Sequence, residues 1–492
     1  MDELFSIRPL LAILVSAAAV PFIMWSRRPN VREFWTFSAA AVKLGIVFSL
    51  LPMVLAGKRP SLVLAHVLPG LPLALRVDAM GLLFALVSSS LWIVTSAYSI
   101  GYMRGLDEHS QTRYFCFFAL ALSATVGVAF SANLLTLYLF YEMLSFATYP
   151  LVTHHQDHEA RRSGRKYLAY IVGGSVGLVL PAMVVCYLTT GTLEFTAQGF
   201  LAGHIDRQTA WLLGLLFVFG LAKAAVMPFH AWLPAAMVAP TPVSALLHAV
   251  AVVKVGAFSI FRVLTGVFGV DFLGRCGLDI LVGVLASITI VTASLMALSQ
   301  DGLKRRLAFS TIGQLSYIVL GAALLVPKGL TGGLLHIAMH AFGKITLFFC
   351  AGAIFVATGL KNISDMKGLG RRMPLTMGAF LVGSLGVIGL PPAGGFLSKW
   401  NLLLGTLEAH QIGFLVVLLV SSLLNAAYFL PIVYNAFFAP PATTGASSEV
   451  HEAPAWCLAA ILVTGTCSLV LFFHPWPFMD LALLAVTQIT GR

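Results

Sequence analysis

The sequence predicts an all-α polytopic membrane protein of about fourteen transmembrane helices, on three observations. First, of 492 residues 59% are hydrophobic and only 10% charged, where soluble chains carry about 25% charged residues. Second, mean hydropathy is +0.92. So little polar surface cannot cover a soluble globule of this size, which excludes a cytosolic enzyme, a nucleic-acid binder and a disordered scaffold. Third, apolar stretches close to the roughly 20 residues of a bilayer crossing recur along the whole chain.

Those stretches fall near residues 8–26, 35–56, 79–102, 114–131, 133–153, 166–190, 209–227 and 241–265. They continue near 276–299, 307–326, 329–358, 373–390, 411–438 and 454–474. The first is expected to remain as an anchor, because Asp2 and Glu3 precede it and Arg27, Arg28 and Arg32 follow it, the reverse of a leader peptide. With the amino terminus outside, sixteen of the thirty Lys and Arg residues fall in inner loops and nine outside or at the outer interface. That bias places both termini outside a plasma (inner) membrane, and it accounts for the net charge of +11 without a nucleic-acid partner. The six cysteines form no C-x-x-C pair, so no zinc or iron–sulfur site and no redox centre is expected. No phosphate-binding G-x-x-x-x-G-K-[ST] loop is present, so ATP is not expected to drive the chain. Neither cofactor nor metal is expected.

The remaining five basic residues, Lys43, Lys223, Lys254, Lys344 and Lys399, lie inside apolar stretches. A lysine at the bilayer centre costs about 2.5–3.5 kcal/mol, so five cost on the order of 15 kcal/mol unless they pair, face the bundle interior or work. Burial lowers a lysine's pKa and a nearby carboxylate raises it; a lysine between those pulls can take up and release protons near neutral pH. Glu142, in LYLFYEMLSFATYP, is the one deep carboxylate and is expected to pair with Lys223. His336, His340 and Lys344 step by four and share one helix face, as a proton wire requires. Lys43 stands apart from other titratable groups and reads as structural or lipid-facing. The histidines are weaker as haem ligands, since His336 and His340 point the same way and cannot both be trans-axial; His248 would have to serve as partner. The loop HHQDHE (His154, His155, Asp157, His158, Glu159) carries metal-type ligands, but beside four basic residues it reads as a solvated turn.

Two segments interrupt the helical pattern. One, LAKAAVMPFHAWLPAAMVAPTPVSALLHA, holds Pro228, Pro234, Pro240 and Pro242; the other, GVIGLPPAGGFLSKW, holds Pro391, Pro392, Gly394 and Gly395. Within a membrane, such breaks are tolerated where the helix is buried or lines a wet cavity. Each adjoins a lysine, Lys223 or Lys399, and breaks in corresponding places of two halves point to an inverted repeat. By helix order, spans four to eight match nine to thirteen. The expected organisation is therefore residues 1–103 (spans one to three), 104–266 (first repeat), 267–438 (second repeat) and 439–492 (span fourteen).

The ordered motifs LYLFYEMLS, GLAKAAVMPFHAWLPAAMVAPTPVSALLHA, KVGAFSIFR, DGLKRRLAFSTIGQLSYI, HIAMHAFGKITLFFCAG and GLPPAGGFLSKW resemble the antiporter-like subunits of respiratory complex I, Mrp-type cation/proton antiporters and membrane-bound hydrogenases. The resemblance covers about residues 75–438. It implies fourteen helices, two inverted five-helix repeats, broken helices seven and twelve, and a central polar axis that carries protons. It also implies roles: Glu142 and Lys223 as the controlling pair, Lys254 as relay, Lys344 in helix eleven, and Lys399 near the outer exit. His248, His336 and His340 are further relay candidates. The PPAGGFLSKW and LLNAAYFLPIVYNAFF stretches look most like Mrp D-type subunits, and the chain's end soon after span fourteen suggests no long lateral helix. Ala235 departs from relatives that carry an acidic or amide residue after W-L-P. The expected function is a proton-translocating subunit of a multisubunit membrane complex that exchanges Na+ or K+ against protons. Its alternatives are the ion-pumping subunit of a redox-driven complex, a quinone- or haem-binding redox subunit, and a stand-alone carrier.

Overall fold

Long apolar runs separated by short polar turns leave the backbone one way to satisfy itself in lipid, the helix. A computed structural model describes residues 3–440 and 450–491. Asp2, Arg492 and residues 441–449 of the predicted last segment lie outside them. The main helices are α1 (Arg8–Trp25), α2 (Pro29–Ser49), α3 (Ala79–Gly105), α4 (Gln111–Ala129), α5 (Leu134–Val152) and α6 (His158–Thr190). There follow α7 (Arg207–Gly220), α8 (Thr241–Phe268), α9 (Leu278–Leu298), α10 (Leu303–Ala323) and α11 (Pro327–Thr358). The chain continues through α12 (Pro374–Ile388), α13 (Gly395–Glu408), α14 (Ile412–Phe438), α15 (Ala455–Phe473) and α16 (Phe478–Thr490). Among the described residues, ten helical segments are long and apolar enough to cross a membrane.

Burial separates these helices into a centre and a periphery. The apolar stretch of α8 is buried along its whole length, whereas those of α1, α2, α14 and α15 bury only about a third to two fifths. α11, with 32 residues, packs against α10, α12, α13 and α15. The large apolar side chains left exposed, such as Trp25, Leu188 and Leu423, lie on the peripheral helices α1, α6 and α14, where lipid rather than water is the expected neighbour.

One element departs from the all-α expectation. Strands β1 (Glu3–Phe5), β2 (Arg59–Leu68) and β3 (Leu71–Arg76) form a small sheet in the order β1-β2-β3, with β2 and β3 antiparallel. The hairpin turns at Pro69-Gly70, a dipeptide that interrupts helices and favours turns. At ten and six residues its strands are too short to span as helices, and β1 pairs with β2 in parallel.

Both interruptions read from sequence are present. α7 ends at Gly220, a 3-10 turn holds Ala222–Ala224, and Ala225 takes a left-handed conformation (φ +56°) before the prolines. The Trp232 indole donates to the Ala222 carbonyl at 2.9 Å and Thr289 Oγ1 accepts from the Met227 amide at 3.1 Å, which satisfies backbone freed by the break. Between α12 and α13 the chain passes Gly389, Pro391, Pro392 and Gly394. Gly256 lets α8 press its backbone on the first break: a Cβ there would lie 2.1 Å from the Ala224 nitrogen. Gly256→Ala should therefore lower stability by about 1–3 kcal/mol, as overpacking does. A lower melting temperature of the detergent-solubilised protein is the expected reading, with Gly378→Ala, where a Cβ meets open space, as the unaffected control.

Candidate functional site

The first break delivers Lys223 into the protein centre. Its ammonium donates to the Tyr141 carbonyl and to Ser145 Oγ, both at 2.7 Å, and lies 3.1 Å from the centre of the Tyr141 ring. Lys223 is fully buried. The expected ion pair with Glu142 is not formed: their charged atoms are more than 4.0 Å apart, and both Glu142 carboxylate oxygens are buried without a hydrogen-bond partner. The reason is helical geometry. Neighbours on a helix point about 100° apart, so a lysine seated on the Tyr141 ring and carbonyl meets the flank of the residue before the glutamate.

A second group assembles between α8, α10, α11 and α13. Lys254 lies 2.7 Å through Nζ from His340 Nδ1. One helical turn back along α11, the His336 ring stacks on that of His340 with centres 5.4 Å apart. His336 Nδ1 is 2.8 Å from Ser398 Oγ, and its Nε2 is 3.1 Å from Gln314 Oε1. Tyr317 stacks on His336 at 5.5 Å and carries the Lys399 ammonium 4.6 Å above its own ring. All of these side chains are buried. The spacing by four thus places His336 and His340 on one face, as read from sequence.

The second break seats Lys399. Gly389, at φ +89°, would carry a Cβ 2.4 Å from the Lys399 side chain, so only glycine leaves room for this lysine to fold back over the end of α12. Its ammonium donates to the Ile388 carbonyl at 3.1 Å and to Ser422 Oγ at 3.3 Å. A cation at a helix carboxyl end is favoured by the exposed carbonyl dipoles.

Two predicted relay residues fall outside this hydrogen-bonded group. Lys344 is buried with no hydrogen-bond partner, 5.6 Å from the centre of the Phe429 ring, and His248 packs at a tilt against Phe348, ring centres 4.8 Å apart, with neither ring nitrogen bonded. The contacts of Lys254 run to His340, whose ring stacks on that of His336, and not to His248 or Lys344. Gln314, Tyr317, Ser398, Ser145 and Tyr141 were missed as site residues. Gln314 and Tyr317 lie in the DGLKRRLAFSTIGQLSYI motif and Ser398 adjoins Lys399, so a polar residue inside an apolar span was the available signal.

Lys43 is structural and not lipid-facing. It is fully buried, donates to Ser16 Oγ at 3.0 Å and the Leu122 carbonyl at 2.6 Å, and lies 5.3 Å from the centre of the Trp92 ring. It has no carboxylate partner within 4.0 Å. Lys43→Met leaves no opposite charge unpaired and removes only these two hydrogen bonds, each worth about 0.5–1.5 kcal/mol, so ion flux should stay near normal and the melting temperature should fall only modestly.

A cavity of about 910 Å³ opens between the loops that the charge distribution assigns to the inner side; Glu108, Lys166, His230, Ala235, Lys304 and Lys361 line part of it. Ala235 thus lines this cavity. The HHQDHE loop is only partly the solvated turn expected. Gln156, Asp157, His158 and Glu159 are exposed, but His154 is fully buried. Burial, with the nearby His109 and Arg113, holds the His154 imidazole at a pKa of about 4, so it is neutral at physiological pH.

A membrane bundle with two broken helices beside buried lysines, and with buried histidines packed at its centre, has the build of an antiporter-like membrane protein. The chain belongs to the NADH:quinone oxidoreductase/Mrp antiporter transmembrane family, whose pattern it matches over residues 131–425. It is 37% identical to the NADH-quinone oxidoreductase subunit N of Desulforudis audaxviator, over 75% of each chain. To the Na(+)/H(+) antiporter subunit A1 of Staphylococcus aureus it is 30% identical over 82% of its own length, and it spans about half (53%) of that relative. Its fold is similar to a chain of the Mrp complex from Dietzia sp. DQ12-45-1b (TM-score 0.88, 22% identity, covering 98% of this chain and 97% of that one). It is also similar to a chain of the membrane-bound sulfane sulfur reductase, an archaeal respiratory membrane complex (TM-score 0.87, 25% identity, 99% and 98% covered).

Proposed function

We propose that this chain is the proton-translocating subunit of a multisubunit membrane complex of the Mrp cation/proton antiporter type, close to its D-type subunits, which exchanges Na+ or K+ against protons. The observation that carries the reading is the direct contact of Lys254 with His340 in the fully buried centre. A lysine costs energy there unless it works, and an imidazole at hydrogen-bond distance is the group best suited to accept and pass on its proton. Protons enter from the inner cavity and are gated at Lys223 by its distance from Glu142. They continue through Lys254, His340 and His336 to Lys399 on the outer side, with Lys344 and His248 joining when side chains rotate. The contacts of Lys223 with Tyr141 and Ser145 correspond to the separated state of that gate. Both termini lie outside a plasma membrane in this reading. In support, loops rich in Lys and Arg, including Lys166, Lys304 and Lys361, surround one cavity.

The second reading is the ion-pumping subunit of a redox-driven complex. It is favoured by the 37% identity to an NADH-quinone oxidoreductase subunit. Purification of the tagged chain from native membranes, with identification of every co-purifying protein, separates the two. Small hydrophobic partners with a second antiporter-like chain are expected. Nickel–iron or iron–sulfur proteins in the preparation would overturn the antiporter assignment in favour of the redox-driven pump.

A further inference from the structure

The loop between α3 and α4 and the loop between α5 and α6 each bring metal-type ligands to the same place. Ligand atoms of Glu108, His109 and His154 all lie within 4.8 Å of one another. Glu108 Oε2 is the hub: His154 Nε2 is 3.7 Å from it, and His109 Nδ1 and His155 Nδ1 are each 3.8 Å away. These separations are too long for hydrogen bonds. They are a few tenths of an ångström above the edge of a tetrahedron built on metal–nitrogen and metal–oxygen bonds of about 2.0–2.1 Å.

An independent observation points to a ligand. His154 is fully buried, yet neither of its ring nitrogens has a hydrogen-bond partner. Buried polar atoms are rarely left so, and this one faces the Glu108 carboxylate. The neighbouring histidine is held ready as well. His109 Nε2 lies 3.1 Å from the His154 carbonyl, and the bond it donates there leaves the Nδ1 lone pair directed at the cluster, the outer-shell arrangement that fixes metal-binding histidines. Arg113 also donates to the His154 carbonyl, at 2.7 Å. Its charge opposes a cation, and the carboxylate of Glu108 offsets it.

We propose that Glu108, His109, His154 and His155 form a binding site for a borderline divalent transition metal, zinc above all. Three imidazoles and one carboxylate suit such a cation better than Mg2+ or Ca2+, which take oxygen ligands. The half-exposed His109 and part-exposed His155 give it an aqueous entry. Glu108 and His155 also line the inner cavity, so the bound ion ties two loops together at its rim. The site stands on its own geometry and does not depend on the path that protons take.

The test uses the complex purified through a histidine-free tag, stripped with chelator and titrated with Zn2+, then with Co2+. Glu108→Gln and His154→Asn should each lose about one equivalent of tightly bound zinc per chain. His109→Gln and His155→Gln, at more exposed positions that folding tolerates, should weaken binding by about tenfold or more. The exposed His204→Asn serves as the control and should bind as the parent does. A tetrahedral Co2+ absorption spectrum that disappears in these variants supports the site. Unchanged zinc stoichiometry and affinity in His109→Gln and His155→Gln would overturn it, even if the other two variants fail to assemble.

Discussion

Replacing Lys254 by alanine should lower proton flux through the assembled complex by about 100-fold or more, the scale set by a positioned proton-transfer group. Its ammonium and His340 Nδ1 are 2.7 Å apart in a region without exposure, so no neighbouring water-facing group takes over the step. Assembly should be near normal, because the side chain removed is a buried charge without a carboxylate partner within 4.0 Å. Lys254→Arg discriminates a proton carrier from a structural charge. The guanidinium keeps the charge but does not release a proton in proteins, so flux should remain lost. Restored flux in Lys254→Arg would assign the residue to positioning alone.

The second large effect concerns stability. Asp78 forms a two-pronged ion pair with Arg262 of α8, with Nη2 to Oδ1 at 2.8 Å, and its side chain also accepts from the Gly81 amide at 2.8 Å as the cap of α3. The Arg262 side chain is only 10% exposed. Asp78→Ala therefore removes a cap worth about 1 kcal/mol and leaves a nearly buried guanidinium unpaired. Breaking such a pair from one side costs about 3–5 kcal/mol. The variant should melt well below the parent in detergent. Asp78→Asn, which keeps the cap, should lie between them, and Asp78→Ala combined with Arg262→Met should recover most of the loss. A double variant no more stable than Asp78→Ala would contradict the pair's role.

Much of this was legible in the sequence, and the failures have physical causes. Helix positions followed from apolar runs because lipid forces the backbone to satisfy itself. Pro228 and Pro391–Pro392 marked both breaks because neither proline nor paired glycine sustains a helix. The hairpin at Arg59–Arg76 was lost because a search for stretches of bilayer length passes over a ten-residue strand that carries Arg59, Ser61 and His66 and ends at Pro-Gly. Glu142 and Lys223 were read as a pair because opposite charges deep in a membrane must be near one another. Their rotation about the helix, which sets contact or separation, is not encoded by proximity in composition. His336 and His340 were found by periodicity, whereas Lys344, on the same face by spacing, meets Phe429, since the identity of the facing helix decides what a side chain meets. His154 was misread as solvated because its neighbours Asp157, His158 and Glu159 are, and a loop can bury one residue while exposing the next.

The central claim, that one buried path in series joins Lys254 to Lys399, is tested most directly by proton flux in vesicles carrying the complex with Lys399→Met, assembly being verified in the same preparation. Loss of any obligatory group in a series path stops the flow, so flux should fall by about 100-fold or more, the scale expected for Lys254→Ala. Flux retained at the parent's level in the assembled Lys399→Met complex would contradict the path.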